Sequence, residues 1–170
     1  IHRTPVLTCQ TLNALTGAQL HFKCENFQKT GAFKIRGASY AISLLTDAQA
    51  AQGVTTHSSG NHGAALAYAA SKKGINAYVV MPENAPAVKQ AAVAGYGAEV
   101  IHCAANLSAR EQGLAEVIAR TQAVFIPPYD GYPIITGQAT AALEFCQQVA
   151  ALDVIIAPVG GGGLLSGTAI

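Results

Sequence analysis

Three short stretches carry residue types that could do chemistry together: Phe33-Lys34, Ser58-Ser59-Gly60-Asn61-His62-Gly63 and Gly160-Gly161-Gly162-Gly163. Lys34 follows a run of polar and turn-forming residues and precedes a helical pattern, with Thr30 or Gly31 as the expected cap. A cation in the first turn of a helix opposes the positive end of the helix dipole. That placement, with burial beside Phe33, lowers an ammonium pKa. A partly neutral lysine is the form that bonds an aldehyde. Read alone, an ordinary surface lysine is the more common case, and the chemical reading gains weight only with the other two stretches.

Ser58 to Gly63 lies between a strand candidate and a helix candidate, at the strand's carboxyl end, where open α/β sheets hold their ligands. Its hydroxyls, amide and backbone N–H groups suit a small anion such as a carboxylate. An ordinary helix cap built from turn-forming serine and asparagine explains the same residues, and His62 alone fits a structural histidine. The four glycines follow the apolar stretch 153–159 and allow backbone N–H groups to converge on a phosphate. A tight turn is the alternative, but four consecutive glycines lose much chain entropy for that purpose. A dinucleotide fingerprint does not fit, because Leu165 and Ser166 stand where its third glycine belongs, and no Gly-Lys-Ser or Gly-Lys-Thr is present. A reactive lysine, a carboxylate seat and a phosphate cradle point together to pyridoxal phosphate acting on an amino acid. Asn61 is then the residue in reach of the cofactor's ring hydroxyl.

The elements that must position these residues alternate. Strands are expected at 19–25, 54–57, 77–81, 99–102, 124–126 and 154–159, and helices at 34–45, 64–73, 86–94, 108–121 and 137–150, with a Pro-rich loop at 127–133. This spacing predicts an α/β fold with a mostly parallel sheet. With 51% apolar and 11% charged residues the chain has ample core material and little sign of disorder. A net charge of +1 and scattered Lys and Arg leave no nucleic-acid footprint. No apolar run is long enough for a membrane helix and no secretory signal is visible. Cys9, Cys24, Cys103 and Cys146 form no CxxC pair, so they read as reduced, mostly buried thiols of a cytoplasmic protein. The chain starts at Ile1 and stops at Ile170, just past the glycine turn, so a piece of a longer chain is expected.

The segments Lys23–Ala38, Ser58–Gly63 and Pro158–Gly167, with Pro82–Pro86 and Gly137–Glu144 between them, resemble the serine/threonine dehydratase and serine racemase family. The resemblance runs the length of the chain. It implies fold-type II pyridoxal-phosphate architecture (tryptophan synthase β-like), with a large domain from 1–52 and 132–170 and a smaller domain inserted at 53–131. It also implies that Lys34 carries the cofactor as a Schiff base and returns as the base at the substrate α-carbon, that Phe33 packs beneath the ring, and that Asn61 bonds the ring hydroxyl. Gly160, Gly161, Gly162 and Gly163 would take the phosphate, and Ser58, Ser59, Gly60 and His62 would line the substrate-carboxylate loop. The implied reaction is deamination of L-serine or L-threonine to a 2-oxo acid and ammonia. Serine racemisation is the alternative, with Ser59 as the second proton donor, and a non-catalytic binding module is a third reading. Cysteine and threonine synthases resemble the chain less, since they typically carry Asp where Ile35 stands. A homo-oligomer, dimer or tetramer, is expected, as is a divalent cation held by residues outside this chain; no metal ligands are assigned within it.

Overall fold

A computed structural model describes residues 1–170. The chain opens with an antiparallel pair, β1 (Val6–Thr8) and β2 (His21–Lys23), joined through helix α1 (Gln10–Thr16). Helices α2 (Lys34–Ser43) and α3 (Asp47–Gln52) follow. Four parallel strands come next: β3 (Val54–His57), β4 (Ala77–Pro82), β5 (Glu99–Cys103) and β6 (Val124–Phe125), in the order β5-β4-β3-β6. Their connections are the helices α4 (Asn61–Ser71), α5 (Ala87–Gly95) and α6 (Leu107–Thr121). Two helices complete the chain, α7 (Tyr132–Gln148) and α8 (Gly163–Ala169).

Strand β4 is apolar on both faces, as a covered parallel sheet requires: Val79, Val80 and Met81 are fully buried, as is Val54 of β3. The alanines of α4 (Ala65, Ala67, Ala69 and Ala70) are buried too, and their small side chains let α2 and the sheet approach from two sides. One core therefore runs from Ile35, Ala38 and Ile42 through the strands to Ile134. No helix is long and apolar enough to cross a membrane.

Glycine sets how α2, α7 and α8 meet. A Cβ at Gly137 would stand 2.5 Å from the Gly37 Cα, and one at Gly167 would stand 2.6 Å from the Ile135 oxygen. These helices pack backbone to backbone, and the Gly37 N–H donates to Gln138 Oε1 at 3.2 Å.

Several expectations need correction. The cap before Lys34 is Phe33; Thr30 and Gly31 instead form a left-handed turn with φ of 63° and 72°. Helix α4 begins at Asn61, so Asn61 and His62 lie in its first turn, not in a preceding loop. Helix α7 begins at Tyr132 because Pro133 sits in its first turn, where a missing N–H is harmless. The stretch 154–159 pairs with no strand, and its Ile156 is 90% exposed. Apolar β-branched content marks a strand former, but a strand also needs a neighbour, and no other strand of the chain lies beside it. Strand β1 and the helices α1 and α3 lie outside the expected elements, whereas β2 falls within the strand expected at 19–25 and pairs antiparallel with β1. The cysteines, expected to be mostly buried, are half-buried at Cys9, Cys24 and Cys103 and exposed at Cys146. The Thr46–Gln49 capping box marks the start of α3.

Gly137→Ala is expected to destabilise the full-length protein by about 1–3 kcal/mol through overpacking. Gly95→Ala has open space in α5 and should be neutral or stabilising by up to about 1 kcal/mol. Urea unfolding of both variants checks the contrast.

Candidate active site

The strand order creates one topological switch. From β3 the chain runs outward to β4 and β5, then returns as β6 on the other side of β3. The crevice between the carboxyl ends of β3 and β6 is where an open parallel sheet binds ligands. Ser58, Ser59 and Gly60 leave β3 there, and Ile126 to Tyr129 leave β6.

The segment leaving β6 touches all three chemical stretches. His62 donates Nε2–H to the Ile126 oxygen at 3.1 Å. Lys34 donates Nζ–H to the Pro128 oxygen at 2.5 Å. A Cβ at Gly161 would overlap the Tyr129 ring, and one at Gly163 would stand 2.5 Å from the Tyr129 oxygen. Glycine is therefore demanded at both positions. Pro128 and Tyr129, adjacent in the chain, join the lysine to the glycine turn.

Lys34 is the first residue of α2 and is half-buried, with Nζ 5.4 Å from the centroid of the Phe33 ring. Burial lowers its pKa from the ordinary lysine value. No carboxylate pairs with it; its hydrogen-bond partner is a neutral carbonyl. His62 is 2% exposed, and burial above all, with weaker repulsion from Lys34 and His57, pushes its pKa down to about 4. It is thus a neutral imidazole with its proton on Nε2, which leaves the buried Nδ1 without a partner.

Ser58 anchors its loop: its N–H donates to the Val80 oxygen at 3.0 Å, and its hydroxyl accepts from the Gly60 N–H at 3.2 Å. Ser59 and Asn61 are exposed, and no side-chain hydrogen bond holds either. Lys89 of α5 reaches over this loop, with Nζ 3.0 Å from where a Gly60 Cβ would stand. Its charge suits an anion at that place. From Gly160 to Leu165 no backbone N–H donates to a backbone carbonyl. These free donors, with no side chain on the four glycines, fit a phosphate. Together with the partly desolvated Lys34, they fit a phosphate-bearing aldehyde such as pyridoxal phosphate.

Phe33 also lines an apolar cavity of about 290 Å³ between β2, α7 and the stretch 155–158. That cavity excludes Lys34, the serine loop and the four glycines, so it is not where the polar groups converge. The residues that sequence reasoning missed are Ile126 and Pro128, which act through backbone oxygens and leave no side-chain signal, and Tyr129. Also missed is Arg36, buried between Glu25 and Glu144. A charged residue inside an otherwise apolar helical stretch is the signal that could have found it.

Comparison with known proteins agrees with this geometry. A family model described as "Pyridoxal-phosphate dependent enzyme" matches residues 1–170. The chain is 55% identical over 170 residues to a protein named serine racemase from Dictyostelium discoideum, covering 100% of this chain and 52% of that protein. It is 52% identical to a beta-hydroxyaspartate dehydratase from Paracoccus denitrificans, covering 100% of this chain and 54% of that protein. The solved structure of maize serine racemase superposes with a TM-score of 0.97 at 50% identity, covering 99% of this chain and 51% of that one. The chain spans about half the length of the relatives it matches.

An unfolded imidazole takes its proton near pH 6.5, whereas His62 takes its proton near 4 when folded. Between these values the unfolded state binds more protons, so this contribution to stability rises with pH and is complete above about 6.5. Histidine ring signals of the full-length protein, followed by NMR, should show no titration of His62 from about pH 5 to about pH 8. A midpoint near the ordinary value would contradict its neutral, buried placement.

Proposed function

The chain belongs to the pyridoxal-phosphate dependent enzyme family, and from that premise we propose that the full protein is an ammonia-lyase. Its substrate is a β-hydroxy amino acid such as L-serine or L-threonine, converted to a 2-oxo acid and ammonia. The observation that carries the reading is the Pro128–Tyr129 link, which brings a partly desolvated lysine and a glycine turn rich in free N–H groups to the crevice where the serine loop begins. The name of the Paracoccus relative, a dehydratase of a hydroxy amino acid, supports the same chemistry.

When bound, pyridoxal phosphate supplies an aldehyde carbon for an amino group and an electron sink for the α-carbon. Gly160 to Gly163 would hold the phosphate through backbone N–H groups, Asn61 the ring hydroxyl, and Phe33 one face of the ring. Lys34 Nζ would carry the aldehyde carbon at rest and, once displaced by the substrate amine, take the α-proton. Its lowered pKa favours both roles, since each needs the uncharged amine. Ser58, Ser59, Gly60 and His62 would orient the substrate carboxylate, with Lys89 adding positive charge. His62 stays neutral and keeps the loop tied to the β6 end. The segment 53–131, which bears the parallel sheet, would act as the smaller lobe, and the full protein would assemble as a homo-oligomer in the cytoplasm.

A second reading, amino-acid racemase, has a specific support. The Ser59 hydroxyl is exposed and has no hydrogen-bond partner in the chain, which leaves it available to move a proton on the opposite face of the α-carbon. Relatives named serine racemase favour this reading too.

Full-length protein loaded with pyridoxal phosphate and given L-serine, then L-threonine, should release pyruvate and 2-oxobutyrate. Lys34→Ala should abolish both. D-serine that vanishes in Ser59→Ala while pyruvate persists would establish the racemase reading beside the lyase. Full activity in Lys34→Ala would refute both readings.

A further inference from the structure

The clearest charged cluster outside the crevice lies two residues from Lys34. The Arg36 side chain is fully buried, and all five of its N–H donors are used. Its Nε and Nη2 donate to the two Glu25 oxygens at 2.7 and 2.8 Å. Its Nη1 and Nη2 donate to the two Glu144 oxygens, both at 2.8 Å, and Nη1 also reaches Thr140 Oγ1 at 3.1 Å. Lys23 at the end of β2 donates to Glu144 at 2.8 Å and to the Thr4 oxygen at 3.0 Å. The Thr4 hydroxyl closes the cluster on Glu25 at 2.6 Å. Two cations and two carboxylates balance in charge, and they tie β2, the turn after it, α2 and α7 together.

We propose that Arg36, clamped between Glu25 and Glu144, is a positioning residue that sets where Lys34 stands in the crevice. That role rests on helix geometry and on the reading of Lys34 given above. Residues two apart on a helix point roughly 200° away from each other, so Arg36 and Lys34 project from opposite sides of the same turn. The Arg36 N–H closes that turn on the Phe33 oxygen at 3.0 Å, enclosing Lys34 within it. A bidentate fork on each of two carboxylates resists rotation of the turn in a way that a single point charge does not. The Gly37–Gly137 contact holds α2 at a fixed distance from α7, and the Arg36 fork holds its rotation. Rotation of α2 would carry Lys34 Nζ off the Pro128 oxygen and toward solvent.

The electrostatics agree. Burial works against the Arg36 charge, but hydrogen bonds and charge from Glu25 and Glu144 outweigh it and raise its pKa. The hydrogen bond from Arg36, against a smaller burial effect and with help from Lys23, holds Glu144 down at about 2. Arg36 and Glu144 therefore hold each other in their charged forms. The cluster's charges are spent on each other, which leaves Lys34 without a counterion.

Arg36→Lys keeps the charge and removes the fork. In the full-length protein without cofactor, the pH midpoint for acetylation of Lys34, read by peptide mass spectrometry, should rise by about one unit toward the ordinary lysine value. In the loaded enzyme kcat should fall about tenfold, the scale of one such unit, while KM holds within about threefold. Val117→Ala, in α6 and remote from the cluster, is the comparison: it loses stability to urea but should leave the Lys34 midpoint alone. Glu144→Gln, which keeps the shape, should move the midpoint in the same direction and stands in if Arg36→Lys fails to fold. A destabilised Arg36→Lys or Glu144→Gln whose Lys34 midpoint and kcat match those of Val117→Ala would overturn the proposal. The midpoint is read without cofactor, so a failed functional reading, seen as an active Lys34→Ala, is distinguishable from failure of this one.

Discussion

Parallel pairing of β3 with β6, only Val54 against Val124 and Thr55 against Phe125, determines where the crevice of this chain opens. Two further backbone bonds flank it, from the Val124 N–H to the Gly53 oxygen and from the Ile126 N–H to the Thr55 oxygen, both at 2.9 Å. Because β6 joins the sheet on the far side of β3 from β4, the carboxyl ends of β3 and β6 flank one crevice. Ser58, Ser59 and Gly60 enter that crevice directly from β3, while residues 126 to 129 contact His62, Lys34 and the glycine turn. The β3 side of this short ladder is fully buried at Val54, Thr55 and Thr56, where backbone groups have no water to exchange with, whereas Phe125 of β6 is exposed.

Lys34 and Arg36 show how one helical turn can serve opposite electrostatic needs. Arg36 is surrounded by two carboxylates and kept charged. Lys34 has only the Pro128 carbonyl and loses affinity for its proton through burial. An arginine is suited to the first task because its planar fork fills two carboxylates at once, and a lysine to the second because its single amine can be neutralised. Exchanging the two residues would leave an unneutralisable cation at the crevice and an incompletely bonded amine in the clamp.

The parallel sheet is legible in the sequence because the apolar run of β4 stops at Pro82, β3 is followed by Ser58 and β6 by Ile126 and Pro127, and the helices between the strands are regular. The chemical stretches are legible because lysine beside phenylalanine, the serine-asparagine turn and four glycines are each unusual in type. What brings them together is harder to read. Pro128 and Ile126 act through backbone oxygens, which any residue possesses. Tyr129 sits in a loop whose prolines suggest a crossing between lobes, and only the missing Cβ atoms of Gly161 and Gly163 reveal that its ring and backbone fill that space. The stretch 154–159 has the composition of a strand, yet pairing depends on what lies beside it.

The central claim is that Lys34, of the six lysines in the chain, is the one that bonds the cofactor's aldehyde. Full-length protein loaded with pyridoxal phosphate, reduced with borohydride, digested and mapped by mass spectrometry tests it directly. A pyridoxyl group on Lys34, with Lys29 and Lys89 unmodified, is the predicted result. A pyridoxyl group on any other lysine, with Lys34 free, would contradict the account.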